Sequence, residues 1–431
     1  MLAVAACCLL WGSSSNALSS QRQVSTLPAP QANADMEAKA RRYFSLGNRV
    51  KQQLGPTNAA DLEAELADDF EFVAPLVGPL DRKAIIAAAT GLDLQQALPD
   101  FDARYHDFRA DAVDPCKVWC TMRVTATQTG VLRFGGVTAE PKNPPTVVES
   151  PPEAVSLRFD PVSGRLRELT TGYPLDRRVG TTRGLGGLFG ILEGVGCPLP
   201  TPLTRPTGAV LAPLLRPFGL ALPTASEDDA TPRPTVDEDE RLDDGTLLEL
   251  AARLLESDFG AENGTASSLL ADRFEFCGPV VGPLRKAAFL SSPWCPSGLP
   301  IGLSEGLPDL AMNYRDAVVC EFDVNRVWYT SAPTGTHTGP LRLPVGGGGG
   351  KEYPPTGKRW ESPPERGSLT FDGKGRCVHA TGGYTMDRRL GNTGGLGGVF
   401  GLCAALGIPP PSPAFLLRTP VQNWARLWAK K

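Results

Sequence analysis

The chain has 431 residues, 41% of them apolar and 21% charged, which is the usage of an ordinary globular protein and not of a disordered tract. A formal net charge of −4 leaves no basic footprint for nucleic acid. Gly (47) and Pro (41) are abundant, but they fall mostly in turns, linkers and two Gly-rich runs, where they punctuate the chain.

In chain order, Met1 to Gly12 is an apolar run too short to span a membrane, and small residues suited to cleavage follow from Ser13 to Ala17. This reads as a secretory-type signal without a basic start. Leu18 to Ala34 has Ser, Gln, Ala and Pro, carries Arg22, and holds no acid before Asp35. A signal followed by such a stretch resembles the bipartite plastid leaders of algae with secondary plastids. Residues 1–34 are therefore expected to be a leader to a plastid, with secretion as the alternative.

A helix is expected over Asp35–Leu54, with Tyr43, Leu46 and Val50 at helical spacing. Asn58 caps a second helix through Leu66. Val118–Thr127 and Ser156–Phe159 read as strands, the latter closing in a turn at Asp160–Gly164. The order then repeats. Asp243 or Asp244 opens a helix over Leu247–Leu255, and Thr265–Leu270 precedes Phe274. Arg326–Thr330 and Ser368–Phe371 are strands. Helices first and mainly antiparallel strands afterwards predict an α+β fold.

The repetition is literal. Tyr173-x-x-Asp176-Arg177-Arg178 and Tyr384-x-x-Asp387-Arg388-Arg389 lie 211 residues apart, each followed by a Gly-rich run, Gly184–Gly190 and Gly394–Gly401. Glu149-Ser-Pro-Pro-Glu153 answers Glu361-Ser-Pro-Pro-Glu365, and Val118-Trp119 answers Val327-Trp328. A repeat this long is a whole domain. The expected boundaries are a first domain at 35–197, a Pro-rich and then acidic linker at 198–242, a second domain at 243–408 and a tail at 409–431. In the tail, Trp424 and Trp428 sit one helical turn apart beside Arg426, Lys430 and Lys431. That spacing fits peripheral membrane contact as well as packing back onto the domain.

Gly335-Thr-His337-Thr-Gly339, Pro354-Pro-Thr-Gly-Lys358, Phe371-Asp-Gly-Lys374 and Asp387 followed by Leu390-Gly391 together resemble the SnoaL-like polyketide cyclase branch of the nuclear transport factor 2-like superfamily. The resemblance covers most of 243–405 and reaches 36–190 through the duplication. It implies two tandem cones, each a curved antiparallel sheet wrapped by N-terminal helices around an apolar cavity. It also implies that the tethered copies form a pseudo-dimer within one chain. The sequence departs from the family in the Gly346–Gly350 insertion and in Gln128, which stands where the second copy has His337.

The resemblance makes Asp387 and His337 the candidate catalytic pair, because a carboxylate in an apolar pocket and an imidazole both move protons near neutrality. Tyr384, Arg388, Tyr173, Asp176 and Gln128 are the candidate ligand-binding residues. Each has a plain alternative: an ion pair or turn cap for Asp387, a hydrogen-bonded wall residue for His337, core packing for the tyrosines. The Gly-rich runs do not follow a parallel βαβ unit, so a flap or close backbone packing explains them better than a nucleotide loop. The ten cysteines have no metal spacing, and reduced, buried thiols are expected, with Cys277 and Cys295 left open as a disulfide. No cofactor and no metal are expected. The favoured function is binding of an apolar small molecule or partner segment, as a carrier or assembly factor. The alternative is a cofactor-free acid–base enzyme on a polyketide-, terpenoid- or pigment-like carbonyl compound, active in the second copy.

Overall fold

The computed structural model describes residues 34–44, 59–75, 77–90, 94–134, 137–197, 233–260, 266–279, 281–292, 295, 302–343 and 351–408. The expected leader apart from its last residue, most of the linker and the Trp-bearing tail lie outside the described residues. The chain divides into two compact units, each of which is mixed α+β with a strongly curled sheet. The first holds residues up to Gly172 and the run from Gly180. The second holds Tyr173–Val179 and the residues from 200 onward.

The first unit opens with helix α1 (34–44) and α2 (Ala59–Glu65). Strands β1 (Leu66–Val73) and β2 (Leu80–Asp81), helices α3 (Arg82–Thr90) and α4 (Leu94–Ala97), and then β3 (Asp102–Ala110) and β4 (Lys117–Gln128) follow. β4 is rich in β-branched and aromatic residues and is buried along most of its length, as a central strand should be. A small hairpin, β5 (Leu132–Phe134) with β6 (Val137–Ala139), leads to β7 (Thr146–Glu149), β8 (Glu153–Phe159) and β9 (Leu166–Pro174). The sheet order is β2-β1-β9-β8-β4-β3, with β7 also on β4. Helix α5 (Gly187–Gly194) closes the unit.

The second unit repeats this order. Helix α6 (Asp244–Glu256) starts where Asp243 accepts the Thr246 N–H, and it buries Leu247, Ala251, Leu254 and Leu255 along one stripe. Next come α7 (Ala266–Leu269), β10 (Leu270–Cys277), β11 (Leu284–Arg285), α8 (Lys286–Leu290), α9 (Leu303–Gly306), β12 (Arg315–Val319) and β13 (Arg326–Ser331). Short strands β14 (Thr334–Thr336), β15 (Leu341–Leu343), β16 (Lys351–Tyr353) and β17 (Arg359–Glu361) precede β18 (Glu365–Phe371), β19 (Cys377–Thr385) and helix α10 (Gly398–Leu406). The sheet order is β11-β10-β19-β18-β13-β12. β4 runs unbroken in the first unit, whereas Pro333, which has no N–H to give the ladder, separates β13 from β14 in the second. β14 therefore pairs with β17 as a separate ribbon.

The sheets differ from the expected antiparallel ones at one place each. β1 runs parallel to β9, and β10 parallel to β19. β1 follows α1 and α2, β10 follows α6 and α7, and each meets the last strand of its sheet only after the rest of that sheet's chain has intervened, which gives ample length for a crossover.

Alternation along the strands sorts the second sheet into two faces. Val327, Tyr329, Leu369 and Phe371 join the α6 stripe, Phe274, Phe276 and Phe289 in one apolar core. A second apolar layer, with Leu303, Leu307, Leu341, Trp360, Leu402 and Leu406, packs α9 and α10 against β15 and β17. Neither Cys277 nor Cys295 is in a disulfide. Among the described residues, no helix is long and apolar enough to cross a membrane.

Candidate functional site

Glu365 is the first residue of β18 and is buried at the edge of the apolar core. Its Oε1 accepts the Ser362 hydroxyl at 2.5 Å and the Gly398 N–H, at the start of α10, at 2.8 Å. Burial dominates these bonds and pushes its carboxyl up to about 7. Glu153 repeats the arrangement on β8. It is fully buried, and its Oε2 accepts the Gly187 N–H at the start of α5 at 3.0 Å. Burial again raises its carboxyl to about 7, against the weaker pull of the Gly187 and Ser150 bonds.

These bonds explain the Gly-rich runs. A Cβ on Gly186 would come within 2.6 Å of the Gly172 carbonyl oxygen and 3.1 Å of the Glu153 carboxyl carbon. A Cβ on Gly397 would strike the Gly383 carbonyl and lie 3.1 Å from the Glu365 carboxyl carbon. Close backbone packing around the two acids is what the glycines permit. Next to Glu365 stands Tyr329, a buried phenol that reaches the Thr381 carbonyl at 3.4 Å. Burial, then the Glu365 charge, raise its pKa. In the first unit burial, then the charges of Cys120 and Glu153, raise the pKa of Tyr105 on β3, whose ring stacks on Phe44 at 3.7 Å.

The residues singled out in the sequence make other contacts. Asp387 is buried beyond the end of β19, where it accepts the Arg389 N–H at 3.0 Å and pairs with the Arg389 guanidinium at 3.1 Å. His337 follows β14; its Nδ1 lies 3.0 Å from the Thr356 hydroxyl, and burial lowers its pKa. Asp387 and His337 are thus held by different partners. Gln128 is buried and donates to the Gly130 and Ala139 carbonyls at 3.2 and 2.9 Å.

The Tyr-x-x-Asp-Arg-Arg residues are engaged with one another. Tyr384 accepts the Arg177 N–H, and Tyr173 accepts the Arg388 N–H. Arg388 is half-buried. Asp176 pairs at 2.7 Å with Arg326, both fully buried. Burial opposes its charge, but Arg326 and weaker neighbours hold its carboxyl below the usual range. Arg326 also donates to Ser368 and Asp323 and lies 4.1 Å over the Trp328 ring. His379 on β19 is fully buried beside this pair, and burial lowers it to about 3.

Sequence reasoning passed over Glu153 and Glu365, although both stand in the repeated Glu-Ser-Pro-Pro-Glu landmark. The available signal was an acid kept in both copies, where His337 is matched only by Gln128. Among the described residues no group of three His, Cys, Asp or Glu side chains is placed to hold a metal.

No family model and no curated protein matches the chain. A SnoaL-like protein from Jannaschia sp. CCS1 is 13% identical, over 40% of this chain and 99% of its own, with a TM-score of 0.27. IdmH from Streptomyces antibioticus is 18% identical, over 38% of this chain and 99% of its own, with a TM-score of 0.25. A SnoaL-like polyketide cyclase from Agrobacterium tumefaciens is 12% identical, over 26% and 76%, with a TM-score of 0.19. Solved structures this chain is similar to include SnoaL-like polyketide cyclases and NTF2-like proteins, over roughly one domain's length.

Proposed function

We propose that the protein performs cofactor-free acid–base chemistry on a small apolar carbonyl compound, with Glu365 as the proton carrier of the second unit and Glu153 as that of the first. The observation that supports this reading is the matched pair of buried glutamates raised to about 7. A carboxyl with that pKa exists in both protonation states near neutrality, which is the condition for general acid–base work. The glutamate would take a proton from the carbon beside a carbonyl and return it to another atom of the same substrate, so no external acceptor is consumed. In the second unit Tyr329 would offer its hydroxyl to the substrate oxygen, since its bond to Thr381 is long. Asp387, through Arg389, takes a positioning role in this proposal.

The second reading, a carrier of apolar molecules, is favoured by the exchange of His337 for Gln128 between copies. Deuterium uptake from heavy water by an apolar ketone separates the two. The Glu153→Gln/Glu365→Gln double variant should slow the exchange by about 10²–10⁴-fold, the usual range for a general base, while Glu365→Gln alone should remove only the second unit's share. Exchange that is absent in the wild type, or unchanged in a folded Glu153→Gln/Glu365→Gln double variant, would leave the carrier reading standing and remove the acid–base one.

A further inference from the structure

Between the end of β19 at Thr385 and the start of α10 at Gly398 the chain forms no helix or strand. Asn392 pins this run to β17. Its N–H donates to the Glu361 carbonyl at 2.9 Å, its amide donates to the Arg359 carbonyl at 2.7 Å, and its side-chain oxygen accepts the Glu361 N–H at 3.0 Å. Over 393–398, one hydrogen bond reaches the sheet among the described residues: that from the Gly398 N–H to Glu365 Oε1, at 2.8 Å. The segment is otherwise closed on itself by the Thr393 hydroxyl, which donates to the Leu396 carbonyl at 2.7 Å. Gly394 and Gly395 take left-handed φ values of +73° and +85°, and two successive glycines leave the backbone free to swing.

The first copy builds the same clasp. Thr181 is pinned to Glu149 in both directions, its N–H donating to the Glu149 carbonyl at 2.8 Å and its hydroxyl oxygen accepting the Glu149 N–H at 3.0 Å. The Thr182 hydroxyl donates to the Leu185 carbonyl at 2.6 Å, and the Gly187 N–H donates to Glu153 Oε2 at 3.0 Å. Arg183 and Gly184 repeat the two left-handed residues, with φ +52° and +75°.

Each segment covers its glutamate with one backbone layer. Glu365 and Glu153 are buried, whereas Leu396, Gly397 and Gly398 in one copy, and Leu185, Gly186 and Gly187 in the other, are half-buried. The titratable neighbours of the two acids are phenols, Tyr329 for Glu365 and Tyr105 for Glu153, and burial keeps both neutral across the range considered below. No cation is among the groups that shift either glutamate. An ionised carboxylate under this cover has few donors and no counter-charge, and lifting the segment is what brings it water.

We propose that 393–398 and 182–187 are proton-latched flaps. Each lies closed over its glutamate while the carboxyl carries a proton, and opens to water when the proton leaves. The helices behind them stay in place, α10 through Leu402, Cys403 and Leu406 and α5 through Ile191 and Leu192. The device rests on the clasp geometry, so it holds whether or not either glutamate exchanges protons with a substrate.

The direction with pH follows from linkage. Under the closed flap each carboxyl titrates at about 7, and once hydrated it returns toward 4.5. Between those values opening releases a proton, so the open fraction should rise about tenfold per pH unit and level off above about pH 7.

Hydrogen–deuterium exchange on the full chain, read by peptide mass spectrometry and corrected for the intrinsic pH dependence of exchange, follows the opening. In the wild type, peptides covering 393–398 and 182–187 should open about thirtyfold more readily at about pH 8 than at about pH 5.5, with the rise flattening above neutrality. The amides of β18 should stay protected throughout. Glu365→Gln should abolish the pH dependence at 393–398 and leave that at 182–187 as in the wild type, which also shows that the variant is folded. Ser362→Ala takes a donor from the Glu365 carboxylate and should move the flattening to higher pH. A wild-type profile without pH dependence, or a slope at 393–398 that survives Glu365→Gln, would overturn the proposal. So would β18 amides that open in step with the flap, because the event would then be unfolding of the unit.

Discussion

Tyr173 and Tyr384 stand at matching places in two copies of one run, and each accepts a backbone N–H from the other copy. Arg388 donates to the Tyr173 phenol oxygen at 3.4 Å, and Arg177 donates to that of Tyr384 at 3.2 Å. Burial raises both phenols, Tyr173 to about 12 with the Asp387 charge as the second cause. The hydroxyls therefore stay protonated and serve as fixed acceptors. Tyr384→Phe removes one acceptor and leaves the Arg177 N–H without it, which should cost about 1–3 kcal/mol. Tyr173→Phe should act in the same direction. Urea unfolding of the two single variants and the double variant checks both costs and their coupling.

Asp176 and Asp387 occupy the same place in the repeat but differ in solvent access. The Asp176–Arg326 pair is fully buried, whereas the Arg389 partner of Asp387 is a quarter exposed. Asp176→Asn should destabilise by about 3–5 kcal/mol, because it leaves a buried guanidinium short of charge compensation. Asp387→Asn should cost less, since water reaches Arg389. Comparing urea midpoints of the two variants tests the order. Equal midpoints would contradict it.

Three buried groups shape the pH dependence of stability between pH 3 and 7. Glu153 and Glu365 are raised from 4.5 to about 7. Between those values the folded state binds protons that the unfolded state has released, so stability falls as pH rises from 4.5 to about 7. The loss is about 3 kcal/mol for each glutamate and is complete above that window. His379 acts in the opposite sense at lower pH. It is lowered from 6.5 to about 3, so the unfolded state binds the extra proton and stability is lost as pH falls through that range. Denaturant midpoints from pH 4 to 8 should flatten in Glu365→Gln, and acid sensitivity should ease in His379→Leu.

Gly397 and Gly398 are neighbours with different requirements. A Cβ on Gly397 collides with the Gly383 backbone, so Gly397→Ala should cost about 1–3 kcal/mol through overpacking. It should also shift the titration of Glu365, whose carboxyl carbon lies beside the new methyl. Gly398 has φ +53° with nothing within 4 Å of an added Cβ. Gly398→Ala should therefore cost only the left-handed backbone penalty, about 1–2 kcal/mol, and leave the Glu365 titration in place. A carbon-detected carboxyl titration reads both.

Much of the framework was legible in the residues. The α6 helix was marked by Asp243 or Asp244 ahead of Leu247–Leu255, and β4 and β13 by their β-branched and aromatic content. These are local signals, set by residues a few positions apart. The parallel placement of β1 beside β9 was not legible, because strand partners far apart in sequence leave no periodicity. Nor was the role of Arg326, whose partner Asp176 lies 150 residues away.

The sequence by itself determined that the same landmarks recur in the same order, that each copy opens on helices, and that an acid recurs in both Glu-Ser-Pro-Pro-Glu runs. Only the tertiary structure decided which of the repeated carboxyls holds a proton near neutrality. Asp176 and Glu365 are both buried acids, yet one is held below its usual range by a guanidinium and the other is raised to about 7. The physical reason is that a buried carboxyl's ionisation depends on whether a distant part of the chain brings it a cation or only a single backbone N–H.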